Sequence, residues 1–139
     1  MIQVAQIAMM LSSSLFSPPI VDEGMATFYT YQDYGGGPLY AHSSAIYDQK
    51  NDLNWCAVNE MAYLTGQVEP GDKLLIRFMD YDKFIILEAW DAGPFDGYYI
   101  ADYPELPILV DVPLHLWPLT RQTSARVEIV NLSAMERQK

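Results

Sequence analysis

Asp91 is the residue whose type and setting invite a chemical role. It follows the apolar run Phe84 to Trp90 and precedes Ala92-Gly93-Pro94-Phe95, so a buried strand is expected to end there with a carboxylate at its exit. Proline lacks the N–H that a ladder needs and glycine reaches backbone angles closed to other residues, so the chain must turn. A carboxylate held at that loop mouth either caps its own backbone or faces a ligand. Other reactive types are sparse. Cys56 is the single cysteine, so no intrachain disulfide can form. A catalytic thiol needs a histidine base; His42 and His115 are the two histidines, and neither sits in a cysteine-protease context. Cys56 therefore reads as a small buried hydrophobe. The same residues give no zinc spacing and the acidic residues no calcium loop, so no metal or cofactor is expected.

The elements that must position Asp91 are short. Met25 to Tyr31 reads as a first strand from its β-branched and aromatic content, ended by Tyr34-Gly35-Gly36-Gly37-Pro38. Leu39 to Leu53 shows no sustained period and reads as a long folded-back loop; Trp55 to Leu64 is a short mixed segment. Lys73 to Phe78 and Phe84 to Trp90 read as a hairpin across residues 79–83, whose second arm delivers Asp91. Tyr98 to Ala101 is a candidate short strand. Ile108-Leu109-Val110 is a further apolar run, and Asp111, with Pro113 just behind it, reads as the N-cap of a short helix that Pro118 ends. Arg126 to Val130 alternates and fits a closing strand, and Ser133 to Lys139 reads as a mobile polar tail. Short strands with proline and glycine at the junctions argue for an all-β closed barrel, with a sandwich as the competing architecture.

The chain has 139 residues, enough for one core without staples, and half of them are apolar. Its mean hydropathy is −0.01, ordinary for a globular domain. Eight basic against 18 acidic residues give a net charge of −10, a field that repels phosphate backbones, so no nucleic-acid partner is expected; neutral glycans are allowed. Residues 1–20 stand apart. Val4 to Phe16 is apolar but has no Lys or Arg ahead of it, and it reads either as a degenerate signal segment or as an arm packing on a partner or on the barrel. It is too short and serine-rich for a membrane span. Asn131-Leu132-Ser133 matches a glycosylation sequon by pattern only.

Several short motifs, in order, resemble the RlpA-like double-psi β-barrel family. Asp91-Ala92-Gly93-Pro94-Phe95 is similar to its Asp-Arg-Gly-Pro-Phe segment, with Ala92 in place of the arginine. Gly24-Met25-Ala26-Thr27-Phe28-Tyr29 resembles its opening strand, and Ser43-Ser44-Ala45-Ile46-Tyr47-Asp48 its Ser-Gly-Glu-x-Tyr-Asp turn. Cys56-Ala57-Val58-Asn59 stands where the family has Thr-Ala-Ala-His, and Val68 to Leu74 resembles the Pro-x-Gly-Thr-x-Val approach to the next strand. The resemblance implies a small closed six-stranded double-psi barrel with one or two short helices, over residues 21–132, between an N-terminal segment 1–20 and a tail 133–139.

The family implies an extracytoplasmic protein acting on cell-wall glycan, either cleaving peptidoglycan as a lytic transglycosylase or binding polysaccharide as expansin-like relatives do. Cleavage needs a carboxylic acid whose pKa is lifted toward neutrality, and Asp91 matches one of the family's acids. For the second, Asp102 has the better spacing and Asp111 the better context; Asp91 with Asp111 is the preferred pair, and Asp102 is kept as a substrate contact. Ala45 and Asn59 replace a family glutamate and histidine, so turnover is expected to be weak or absent. His42 and Glu60 lie near the vacated positions, and Asn59 is suited to bonding a sugar hydroxyl. Tyr29, Tyr47 and Tyr98, with Tyr31, Tyr34 and Tyr99, suit either sugar stacking or packing. The competing reading is a non-catalytic scaffold whose residues 1–20 grip another subunit, a homo-oligomer included.

Overall fold

The computed structural model describes residues 21–29, 55–93 and 99–138. Six strands make one ring: β1 (Val21–Tyr29), β2 (Trp55–Asn59), β3 (Lys73–Phe78), β4 (Lys83–Gly93), β5 (Ile108–Pro113) and β6 (Ser124–Asn131). Two short helices follow strands directly: α1 (Glu60–Leu64) after β2 and α2 (Leu132–Arg137) after β6. The ring closes in the order β1, β5, β2, β4, β3, β6. The expected all-β closed six-stranded barrel is thus present, and the sandwich is not. β1 runs parallel to β5 and β2 parallel to β4, while the other neighbours are antiparallel, so chain order and ring order differ and crossovers connect them.

Period-two alternation builds the wall. Leu74, Ile76 and Phe78 of β3, Leu87 and Ala89 of β4, Val110 and Val112 of β5, and Val127 and Ile129 of β6 all point into one apolar core. Trp117 closes one end, its ring 5.4 Å from those of both Phe28 and Phe78, with its indole N–H bonded to the Gln122 carbonyl at 2.9 Å. α1 and the turn 65–72 stand at the other end.

Three local expectations change. β4 does not stop at Trp90; it stays paired through Asp91 to Gly93, which lies opposite Asn59, so the strand continues past the apolar run. Asp111 is not a helix N-cap. It lies within β5, and the following 3₁₀ turn (Leu114–Leu116) is preceded by Pro113 without a side-chain cap; pairing with strands on both sides outweighs the local capping signal. The supposed mobile tail is largely α2, with Leu132 and Ala134 buried. Arg137 on α2 grips buried Asp72 through two bonds of 2.7 and 3.0 Å, a tie between residues far apart in sequence. Asn131 caps α2 and is 1% exposed, so the sequon asparagine is a structural residue.

Candidate functional site

Register brings the two preferred aspartates into one row. Ala57 of β2 lies opposite Asp111 of β5 on one side and Asp91 of β4 on the other, and Thr27 of β1 lies opposite Asp111. Residues paired in register point to the same side of a sheet, so Thr27, Asp111, Ala57 and Asp91 form a four-strand row. That side faces away from the core, because Val110 and Val112 alternate with Asp111, and Cys56 and Val58 alternate with Ala57, as core residues. β4 reaches this register through a bulge. Cys56 pairs with Ala89 but Ala57 pairs with Asp91, so Trp90 is the extra residue that turns Asp91 out of phase with Leu87 and Ala89. Two strand spacings separate the aspartates, about 10 Å between Cα atoms.

Their surroundings differ. Asp91 is 6% exposed; its Oδ1 accepts the Ala92 N–H at 2.8 Å, and its carbonyl accepts the Tyr63 O–H at 3.0 Å. Half-buried Asp111 accepts a short bond from the Thr27 hydroxyl, which lies on the side of β5 remote from Asp91. Cys56, one residue from Ala57, is a free and fully buried thiol. Burial pushes its pKa well above the ordinary value, and the fields of Asp91 and then Asp111 push it further, so the thiol stays protonated and is no nucleophile.

The remaining candidates scatter. Asn59 ends β2 and caps α1, its Oδ1 accepting the Met61 N–H at 2.9 Å, so its carbonyl oxygen is engaged in helix capping. Asp102 is exposed in the turn spanned by the Ile100–Tyr103 bridge, outside the aspartate row. Tyr29 pairs with Pro113 at the end of β1, and Tyr99 is exposed. His42, Ala45, Tyr47 and Tyr98 lie outside the described residues. Among the described residues, the aromatic side chains beside the row include Tyr63, whose hydroxyl bonds the Asp91 carbonyl, and two tryptophans. Trp55 is two residues from Ala57 on the same face, and half-buried Trp90 is the bulge residue. A Cβ on Gly71 would stand 3.0 Å from the Trp90 ring, so only glycine lets the turn pass that close. Neither tryptophan was legible as a site residue, since the bulge that places Trp90 has no sequence signature; the small residue at Ala57 and the hydroxyl at Thr27 are likewise meaningful only once register is known.

A cleft of about 300 Å³ opens at the barrel end, lined by Asn59 and Leu109 among others but by neither aspartate. Among the described residues no group of three His, Cys, Asp or Glu side chains is arranged to hold a metal, and no helix is long and apolar enough to cross a membrane. No family model and no curated protein matches the chain.

Proposed function

We propose that the barrel binds cell-wall glycan of the peptidoglycan type across the face carrying Asp91 and Asp111, as a recognition module without appreciable turnover. The observation that carries this reading is the register that sets Asp91 and Asp111 on either side of Ala57. Two acceptors separated by a small side chain suit the hydroxyls of a polysaccharide, and half-buried Trp90 adds part of an apolar ring beside them. Two features favour binding over cleavage. Asn59 caps a helix where the resembling enzymes carry a histidine, and Ala45 offers no acid. The short motifs shared with RlpA-like barrels supply the choice of glycan, which also assigns the protein an extracytoplasmic setting.

Retention on purified peptidoglycan tests the proposal. The wild-type chain should be retained, Asp91→Asn and Asp111→Asn should each lose several-fold in retention, and Asp102→Asn, in the exposed turn, should not; soluble muropeptides should not appear with any of them. Failure of the wild type to bind, or equal retention of all three variants, removes the glycan reading and leaves the scaffold reading. Muropeptide release abolished by Asp91→Asn would restore catalysis.

A further inference from the structure

At the barrel end where β1, β3 and β5 start and β2, β4 and β6 finish, the cleft of about 300 Å³ leads down to Val58, Leu74 and Ile129 of the central core. An apolar cavity of about 150 Å³ takes one benzene, so this cleft has room for about two large apolar side chains. Its polar lining is already engaged. The Asn131 amide donates to the Gln67 carbonyl at 3.1 Å and to Asp72 at 2.8 Å, while its oxygen accepts the Ala134 N–H at 2.9 Å. The Asn59 Oδ1 accepts the Met61 N–H at 2.9 Å. Glu23, at the rim, pairs in register with Glu128 on the outer face of the barrel, where Arg126 lies 3.8 Å away, so it brings no charge inward. The mouth is apolar as well: Met61 on α1, 48% exposed, stands there with Ala62, Pro107 and Leu109. Such a recess favours an uncharged, apolar occupant.

The chain itself supplies one at the right place. β1 begins at this end, with Val21 opposite Val130, and the two neighbours of Val130 in sequence, Ile129 and Asn131, both line the cleft. The polypeptide ahead of Val21 therefore joins the barrel at the rim. Residues 1–20 contain no Asp, Glu, Lys, Arg or His, and Leu15-Phe16 is the apolar pair just ahead of Ser17-Pro18-Pro19. The five residues from Phe16 to Val21 span up to about 17 Å. β1 and β2 are two positions apart in the ring, about 10 Å, so Phe16 reaches as far as α1 on the opposite side. We propose that Leu15 and Phe16 dock in this cleft of their own chain, over Val58, Leu74 and Ile129, and cover the barrel end. Attachment at the rim raises the local concentration of this segment above that of any free competitor. The docking does not depend on the glycan reading, because none of the aspartate-row residues is among those lining the cleft.

Amide spectra of the full chain test the assignment. Between the wild type and Leu15→Ser/Phe16→Ser, shifts should concentrate on Ala62, Val68, Leu109 and Ile129 and spare Phe84 and Ile86, the exposed apolar pair on β4. A nitroxide attached through Ser13→Cys, with the buried Cys56 left unlabelled, should broaden the same mouth amides, and adding Leu15→Ser/Phe16→Ser should reduce that broadening several-fold. Mixing isotope-labelled, nitroxide-free chain with unlabelled, nitroxide-bearing chain separates a chain's own segment from a neighbour's: no broadening should cross between molecules. Broadening that does cross would assign the cleft to a second copy and overturn docking within one chain. Shifts that miss the mouth or centre on Phe84 and Ile86, or broadening that the double substitution leaves unchanged, would overturn the proposal outright.

Discussion

Cys56 is the small buried hydrophobe that its lack of a histidine partner suggests. A lone cysteine near two carboxylates invites a nucleophilic reading, yet the thiol is fully buried, and burial first, then the fields of Asp91 and Asp111, raise its pKa far above the ordinary thiol value. Thiolate is the reactive form, so the folded protein should be inert to an aromatic disulfide reagent at about pH 8, while the denatured chain reacts at once. Because burial is the leading cause, Asp91→Asn should not open the site to the reagent. Fast labelling of the native chain would show that β2 is not packed as described. The sequence already pointed to a buried Cys56 and to a placed carboxylate at Asp91. It did not point to Thr27, Ala57 or Trp90, whose relevance depends on strand register, and a one-residue slip would carry each to the opposite face.

Helix α2 illustrates the same limit for elements. Leu132–Arg137 is too short to hold itself together, and read locally it is a polar tail. What fixes it is distant: Asp72 accepts from Arg137, from Asn131 and from the Glu69 N–H. Burial of Asp72 alone would raise its pKa, but the bonds from Arg137, the Glu69 amide and Asn131, with the Arg137 charge, outweigh it and hold the carboxyl below its ordinary value. The sign follows directly. A carboxyl with a folded pKa below its unfolded value, near 3.9, contributes stability that is fully present above that value and lost as pH falls through the lower folded one. Thermal melts should therefore be flat with respect to this group above about pH 5 and decline below about pH 4. Asp72→Asn should lower the melting temperature at neutral pH and shrink the acid decline; an unchanged acid limb would mean that other carboxylates carry it. Asp111 shows the converse. Its capping context, Ile-Leu-Val before and proline after, is locally sound, and strand pairing on both flanks overrides it.

At the scale of the whole molecule, the alternating apolar strands and the Gly-Pro punctuation made a closed barrel legible, but not its ring order, because parallel neighbours far apart in sequence leave no local trace. The parallel seam between β1 and β5 is where closure is tightest. The Met25 N–H bonds the Pro107 carbonyl at 2.8 Å, the register shifts between Met25 and Ala26, and a Cβ on Gly24 would stand 2.5 Å from Leu109 Cγ and 2.6 Å from the Pro107 carbonyl oxygen. A leucine side chain can turn aside, whereas a carbonyl already committed to a ladder bond cannot move without opening the seam. Gly24→Ala should thus destabilise by about 1–3 kcal/mol, the range for overpacking a close-fitted site. A second substitution, Leu109→Ala, separates the two contacts: it removes the flexible obstacle and leaves the backbone one. If the carbonyl contact dominates, the double variant should recover little of the Gly24→Ala loss in a double-mutant cycle from denaturant midpoints. Substantial recovery would place the constraint in the side chain instead, and a Gly24→Ala protein as stable as the wild type would show that the seam has slack. Since β1 joins β5 on one side and β6 on the other, a seam that opens there leaves the ring unclosed, and the loss should appear in one cooperative transition rather than as local fraying of β1.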